Sequence, residues 1–147
     1  MGQKLLFNVE ATGSGMRIDA TAGKHTIIVD EPESFGGKDS AADPMSTMLA
    51  ALVACENVMV QIISKEMKIK IDDISYKVEG QLDPSGLMGN LEVKPYFEKV
   101  NVEAYIKTSA TDEQVQELRE KVGQRCPVFR TIKDAGIPIE NNWIKIN

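Results

Sequence analysis

One stretch of the chain is apolar almost without interruption: Met48-Leu-Ala-Ala-Leu-Val-Ala-Cys-Glu-Asn-Val-Met-Val60. Asp43 and Pro44 precede it, and both residue types are favoured at the start of a helix. The pattern predicts a helix from Pro44 to about Glu66. Because its apolar residues cover nearly the whole circumference, we expect this helix to be buried on all sides.

On both sides of this helix, apolar residues alternate with polar ones, as in half-buried strands. The predicted strands are Lys4–Glu10, Met16–Thr21, His25–Val29, Lys68–Glu79, Val93–Thr108 and Ile137–Ile146, the first two joined by a turn over Ala11–Gly15. A capping box at Thr111 begins a second helix that ends near Arg125, and a third runs from Cys126 to Ala135. A long loop is expected over Asp30–Asp43. This order of elements predicts an α+β fold.

Composition limits the classes of function. The chain has 147 residues, 42% hydrophobic and 27% charged, which is typical of a globular protein with one domain, here residues 1–147. A net charge of −5 with scattered Lys and Arg argues against nucleic-acid and membrane partners. Glu56 and Asn57 interrupt the apolar run, which favours a core helix over a membrane span. With two cysteines, no disulfide framework and no signal-peptide pattern, we expect a cytoplasmic protein.

The two cysteines are the candidate reactive groups. Cys55 lies inside the apolar run, and Cys126 opens a Cys-Pro-Val tripeptide. A thiolate is a strong nucleophile, and two thiols that meet can form a disulfide and be reset. Two inert core cysteines are the alternative. The single histidine, His25, lies in a predicted strand, which argues against a His-dependent protease and against a metal or haem site.

Several motifs, in this order, resemble the OsmC/Ohr family of thiol-dependent hydroperoxide reductases. Asp30-Glu-Pro and Gly36-Gly37 match the loop before the central helix of that family. Pro44 and the alanine-rich run to Cys55 resemble its proline-led helix with the first cysteine, and Cys126-Pro-Val resembles its second cysteine. The resemblance implies an OsmC-like fold, with antiparallel sheets wrapped around long buried central helices in an intertwined homodimer.

The resemblance also implies the roles of the two cysteines. Cys55 would attack the O–O bond of an organic hydroperoxide as a thiolate and become a sulfenic acid. Cys126 would then condense with the sulfenic acid to form a disulfide. A dithiol reductant, lipoyl-type in the family, would reopen that disulfide. No resident cofactor or metal is implied.

The remaining site residues are also assigned through the resemblance. Arg17 is the best match for the family's arginine beside the thiolate, because Ala11-Thr-Gly-Ser-Gly-Met16 resembles an Ala-Thr-Gly-Gly-Arg stretch with two residues inserted. Arg125 and Arg130, which flank Cys126, are alternatives. A pocket for the alkyl group of the hydroperoxide is expected from Met48, Leu52 and Met59.

One departure from the family pattern concerns the carboxylate that orients the arginine. In the family a glutamate stands one or two positions after the helix-opening proline, where this chain has Met45 and Ser46. Glu56 follows Cys55 but points about 100° away around the helix, so it is a poor substitute. The departure supports an alternative function, a catalytically weak member of the fold that binds a small apolar or thiol-bearing ligand at the dimer interface.

Overall fold

The computed structural model describes residues 2–147. The chain divides into two compact units, one ending at Met48 and the other comprising Leu49–Asn147. The assignment of a single domain to residues 1–147 stays a prediction.

The first unit contains a three-stranded antiparallel sheet. Its strands, in spatial order, are β1 (Glu10–Ser14), β2 (Arg17–Ala22) and β3 (His25–Val29). The two hairpin loops have two residues each, and each begins with a glycine in the left-handed region: Gly15 with φ 61° and Gly23 with φ 63°. Glycine reaches this region without the steric cost that other residues meet.

The predicted strand Lys4–Glu10 is wrong in position. Regular structure begins only at Glu10, and residues predicted as a turn, Ala11–Ser14, are strand residues paired with β2. The reason is the tightness of the turn at Gly15-Met16, which sets the hairpin register so that Ser14 pairs with Arg17. The long loop that follows β3 contains one turn of 3-10 helix, Glu33–Phe35.

The long central helix α1 covers Pro44–Glu66, as predicted. Its first turn is capped by Asp43, whose Oδ1 accepts a hydrogen bond from the backbone N–H of Ser46 at 2.9 Å. Burial on all sides is wrong for this chain alone. The buried residues form one stripe: Leu52, Glu56, Val60, Ile63 and Ser64. On other faces the side chains of Val58 and Ile62 are 57% and 43% exposed.

By length and composition alone, α1 could also cross a membrane. The carboxyl of Glu56, half-way along the helix, is nevertheless fully buried and accepts a hydrogen bond from Asn141 of the second unit. Enclosure of a polar group by protein is typical of a core helix.

The second unit is built on the sheet β4 (Ile71–Gln81), β5 (Lys99–Thr108) and β6 (Ile139–Ile146). β4 and β5 are antiparallel, whereas β6 is parallel to β5. The expected all-antiparallel arrangement is therefore wrong for the last strand. Helices α3 (Asp112–Arg125) and α4 (Pro127–Asp134) return the chain so that β6 runs in the direction of β5, which is how parallel neighbours are connected.

The core of the second unit follows the alternation read from the sequence. Inward residues of β5 are fully buried: Val100, Val102, Ala104 and Ile106. Helix α3 packs against β6. Its predicted capping box is confirmed, because Thr111 Oγ1 accepts from the N–H of Gln114 at 3.1 Å and the Gln114 side chain accepts in return.

The strands predicted at β4 and β5 begin too early, as does the last strand, which begins at Ile139 rather than Ile137, and one short helix was missed. β4 begins at Ile71 because Lys68 has a left-handed φ of 57°, which a strand cannot accommodate. β5 begins at Lys99 rather than Val93, after Pro95, which has no N–H to donate to a ladder. The expected turn after β4 is a single helical turn, α2 (Pro84–Leu87).

Candidate functional site

Cys126 is held at the junction of two helices. It is the C-cap residue of α3 and the N-cap residue of α4, and its N–H donates to the carbonyl of Val122 at 2.8 Å. The following Pro127 excludes a helical conformation at Cys126, which has φ −77° and ψ 115°. The sharp change of direction points its side chain into the protein, where it is 0% exposed.

Cys55 lies in the second unit, half-way along α1, and is half-buried. The structure brings its side chain close enough to that of Cys126 to raise the pKa of the Cys126 thiol. Both cysteines are free. Burial is the main cause that raises the pKa of Cys126, and the neighbouring side chain of Cys55 raises it further. The pair therefore has one thiol that a solute can approach and one that is enclosed and protonated.

The carboxyl group of Glu56 is buried next to this thiol pair. Its side chain is 0% exposed, and its Oε1 accepts a hydrogen bond from Nδ2 of Asn141 at 2.8 Å. Asn141 in turn accepts from the indole N–H of Trp143 at 2.9 Å. The second carboxyl oxygen of Glu56 is buried without a partner among the residues described. Burial raises the pKa of Glu56 to about 7, although the hydrogen bond from Asn141 acts in the opposite direction.

Tyr76 of β4 completes the group. Its hydroxyl donates to Oδ1 of Asn57 at 3.2 Å. Burial raises the pKa of Tyr76, and the charges of Glu56 and Cys126 raise it further, so all three side chains are near neighbours. We call Cys55, Glu56, Tyr76, Cys126 and Asn141 the thiol cluster.

Sequence reasoning missed the contribution of Glu56. The sequence alone makes it a poor substitute for the missing glutamate, because it does not share the face of Cys55. The structure shows that it points inward, to β6, rather than to solvent. A signal was present, because a charged residue inside an apolar helical run has to be exposed, paired or protonated.

Arg17 lies in the first unit, at the start of β2. Its guanidinium binds Asp19 through two contacts, Nε to Oδ1 at 2.6 Å and Nη2 to Oδ2 at 3.1 Å. A third nitrogen donates to Oγ of Ser40 at 3.1 Å. Arg17 therefore has an orienting carboxylate although Met45 and Ser46 provide none. It lines a cleft of about 500 Å³ within the first unit.

Asp30 fixes the loop from which Ser40 reaches Arg17. It is buried, and its carboxylate accepts from the hydroxyl of Ser40 at 2.6 Å and from the backbone N–H groups of Glu31, Lys38 and Ser40. These hydrogen bonds, that of the Ser40 hydroxyl first, lower the pKa of Asp30 to about 2. The motif Asp30-Glu-Pro thus has a structural role at the base of the loop.

The other predicted site residues are placed as follows. Of the expected pocket residues on α1, Leu52 is fully buried, Met59 is half-buried and Met48 is 39% exposed. The alternative arginines both have carboxylate partners. Arg125 forms a two-point ion pair with Glu66 at 2.6 and 3.0 Å, and Arg130 pairs with Asp134 on its own helix.

Comparison with known proteins decides the family. A family model for OsmC-like proteins matches residues 37–142. The chain belongs to the OsmC-like protein family. The match includes α1, both cysteines and Gly37 of the glycine pair that carried the resemblance. A search of curated proteins gave no match.

Solved structures confirm the OsmC-like α+β fold. An OsmC-like protein from Mycoplasma pneumoniae superimposes with a TM-score of 0.83 at 18% identity, over 100% of both chains. An organic hydroperoxide resistance protein OsmC from Legionella pneumophila gives 0.72 at 20% identity, over 99% of this chain and 100% of that one. An organic hydroperoxide resistance protein from Elizabethkingia anophelis gives 0.69 at 25% identity, over 100% and 99%.

Proposed function

We propose that this OsmC-like protein is a thiol-dependent peroxidase that reduces organic hydroperoxides. The observation that carries the proposal is the meeting of an accessible thiol, Cys55, with an enclosed one, Cys126. Family membership and similarity to two organic hydroperoxide resistance proteins support the reaction class. An enzyme of this kind needs one thiol to meet the peroxide and a second thiol to capture the product.

In the first step the Cys55 thiolate attacks one oxygen of the hydroperoxide. The O–O bond breaks, the terminal OH stays on sulfur as the sulfenic acid of Cys55, and the other oxygen takes up the proton released when the thiolate formed and leaves as an alcohol. The sulfur loses two electrons, and the peroxide gains them. We assign Arg17 the role of the cation that stabilises the thiolate, with Asp19 as its orienting carboxylate. Apolar side chains are assigned to the alkyl group of the substrate: Met48, Leu52 and Met59.

In the second step Cys126 attacks the sulfur of the Cys55 sulfenic acid, and a disulfide and water are formed. An external dithiol of the lipoyl type then reduces the disulfide by exchange. We place this cycle in the cytoplasm and in a homodimer without a resident cofactor. The exposed apolar side chains of α1, Val58 and Ile62 among them, support a dimer, since apolar surface of this kind is stabilised by burial.

The proposal is tested by titration of the reduced protein with one equivalent of cumene hydroperoxide. We expect rapid loss of two thiols per chain and a Cys55–Cys126 disulfide by peptide mass mapping, reversed by a lipoyl-type dithiol. Cys55→Ser is expected to lose no thiol. Two thiols that stay unreactive in the wild-type protein would contradict the proposal.

A second candidate function is binding of a small apolar or thiol-bearing ligand. The observation that favours it is the absence of a carboxylate at Met45 and Ser46. This candidate predicts intact thiols after exposure to peroxide and a rise in melting temperature with a ligand such as a short alkyl thiol. Peroxide turnover without any such rise would exclude it.

A further inference from the structure

The proposed cycle gives Glu56 no role, although its carboxyl group lies in the interior of the protein, close to the reacting sulfurs. Burial of a carboxyl group whose second oxygen has no partner among the residues described costs free energy that an apolar residue would avoid. One helical turn away on either side, Leu52 and Val60 are also fully buried, so Glu56 lies in an otherwise apolar part of the buried stripe of α1. The carboxyl is also fixed in place, because Asn141 holds its other oxygen.

The attack by Cys126 requires a nearby group that can accept the proton of its thiol. It is 0% exposed, and it has to lose its proton before its sulfur can attack Cys55. The charged and titratable side chains that interact with Cys126 are Cys55 of α1, Glu56 of α1 and Tyr76 of β4. Cys55 is the electrophile in this step. The Tyr76 hydroxyl donates a hydrogen bond to Asn57 and stays protonated, which leaves Glu56 as the acceptor.

We propose that Glu56 accepts the proton of the Cys126 thiol as the disulfide closes and passes it to the leaving group. In the cycle proposed above, on which this inference rests for its substrate, the S–H bond of Cys126 breaks and its proton moves to the carboxylate. The S–S bond forms as the S–O bond of the Cys55 sulfenic acid breaks. The departing hydroxide takes the proton from Glu56 and leaves as water, so the carboxylate is regenerated.

This role has a definite pH dependence. The pKa of Glu56 is about 7, so its carboxylate form increases from pH 5.5 to 8 and changes little above that. The rate of disulfide closure should follow the carboxylate fraction and reach a plateau above pH 8. If Cys126 instead lost its proton directly to hydroxide, its raised pKa would make the rate climb beyond pH 9. Asn141 and Trp143 of β6, the other groups on this side, do not titrate in this range.

Closure can be measured without peroxide. One equivalent of the aromatic disulfide reagent DTNB reacts first with the accessible Cys55 and releases one thionitrobenzoate anion. Attack by Cys126 on the resulting mixed disulfide releases a second, and the rate of this second release is the readout. Cys126→Ser is expected to abolish the second release only.

The decisive comparison is Glu56→Gln with Glu79→Gln. The amide of Glu56→Gln keeps an oxygen for Asn141 but cannot accept the proton. Glu79→Gln removes the same charge from an exposed position on β4. We expect Glu56→Gln to slow the second release about 100-fold at pH 7 and to remove the plateau, because a general base typically contributes about 10²–10⁴ in rate. Glu79→Gln should behave as the wild type.

The proposal is overturned if Glu56→Gln closes at the wild-type rate, or if wild-type closure climbs without a plateau beyond pH 9. The second result needs only the wild-type protein, so the proposal stays testable even if the variant does not fold. Absence of peroxide reactivity combined with Glu56-dependent closure would refute the peroxidase function and leave the role of Glu56 intact. Peroxide turnover with disulfide closure that does not depend on Glu56 would support the peroxidase function and refute the role of Glu56.

Discussion

Asn141 of β6 holds the buried carboxyl of Glu56 on α1 through a 2.8 Å hydrogen bond that spans 85 positions of the sequence. The bond attaches the cysteine-bearing helix to the last strand of the sheet. Trp143 orients the Asn141 amide from two residues further on, so the donor that faces Glu56 is its NH₂ group. The strand thereby determines where the carboxyl lies relative to the two thiols.

The first prediction concerns removal of this hydrogen bond. Asn141→Leu should lower the free energy of unfolding by about 1–3 kcal/mol, because a buried carboxyl loses its only partner among the residues described. Urea denaturation monitored by Trp143 fluorescence measures the change. The matched control is Asn142→Leu, at the exposed neighbouring position, which should change stability by less than about 0.5 kcal/mol. Equal losses in both variants would show that Glu56 does not depend on Asn141.

The second prediction concerns pH. Folding raises the pKa of Glu56 from 4.5 to about 7, so the folded protein binds a proton more tightly than the unfolded chain. The stabilisation by this proton is complete below pH 4.5 and is lost as the pH rises through 7. Relative to Glu56→Gln, the wild type should lose about 3 kcal/mol between pH 4.5 and pH 7.5, at about 1.4 kcal/mol per pKa unit.

Urea denaturation of both proteins at pH 4.5, 6 and 7.5, at one protein concentration, checks this prediction. The difference between the two proteins isolates Glu56 from the other titrating groups. A difference that is constant with pH, or that favours the wild type at higher pH, would contradict a raised pKa at Glu56.

The sequence predicts those elements whose apolar residues recur with the period of a helix or a strand, or whose ends are marked by a residue that begins or stops the element. Helix α1 begins at Pro44, and the alternation in β5 places its valines and alanine in the core. The hairpin partner Glu10–Ser14 was missed because small and polar residues such as Gly13 have low strand propensity, and only pairing with β2 makes them a strand. The parallel direction of β6 depends on the path of α3 and α4, which no local pattern records.

The candidate site was predictable to a similar degree. The resemblance pointed to both cysteines, whereas the contact between Glu56 and Asn141 is long-range and has no local signature. The pairing of Arg17 with Asp19 could have been found, because residues two apart on a strand share a face. Met45 and Ser46 occupy the positions where the family pattern has its carboxylate, so that pattern does not indicate Asp19.

The third prediction separates the two chemical steps. Cys126→Ser should still react with cumene hydroperoxide at close to the wild-type rate, since Cys55 is the thiol that a solute can approach. The reaction should stop at the sulfenic acid, because the second thiol is missing. Labelling with dimedone and intact mass measurement should show one adduct per chain at Cys55, and the wild type should show almost none. A dimedone-resistant Cys126→Ser protein would mean that Cys55 is not the oxidised thiol.

The last prediction concerns Arg17, whose guanidinium is held by Asp19 and Ser40. Arg17→Met should slow sulfenic acid formation at Cys55 about tenfold or more, because a cation beside the sulfur favours the thiolate. Arg17→Lys should recover only part of the rate, since a lysine keeps the charge but cannot bind Asp19 with two parallel hydrogen bonds. The control is Lys24→Met, which removes an exposed positive charge from the hairpin turn between β2 and β3. The rate of sulfenic acid formation is measured by mixing each protein with hydroperoxide and dimedone and stopping the reaction after set times. If Arg17→Met and Lys24→Met react equally fast, the cation beside Cys55 has to come from elsewhere in the assembled protein.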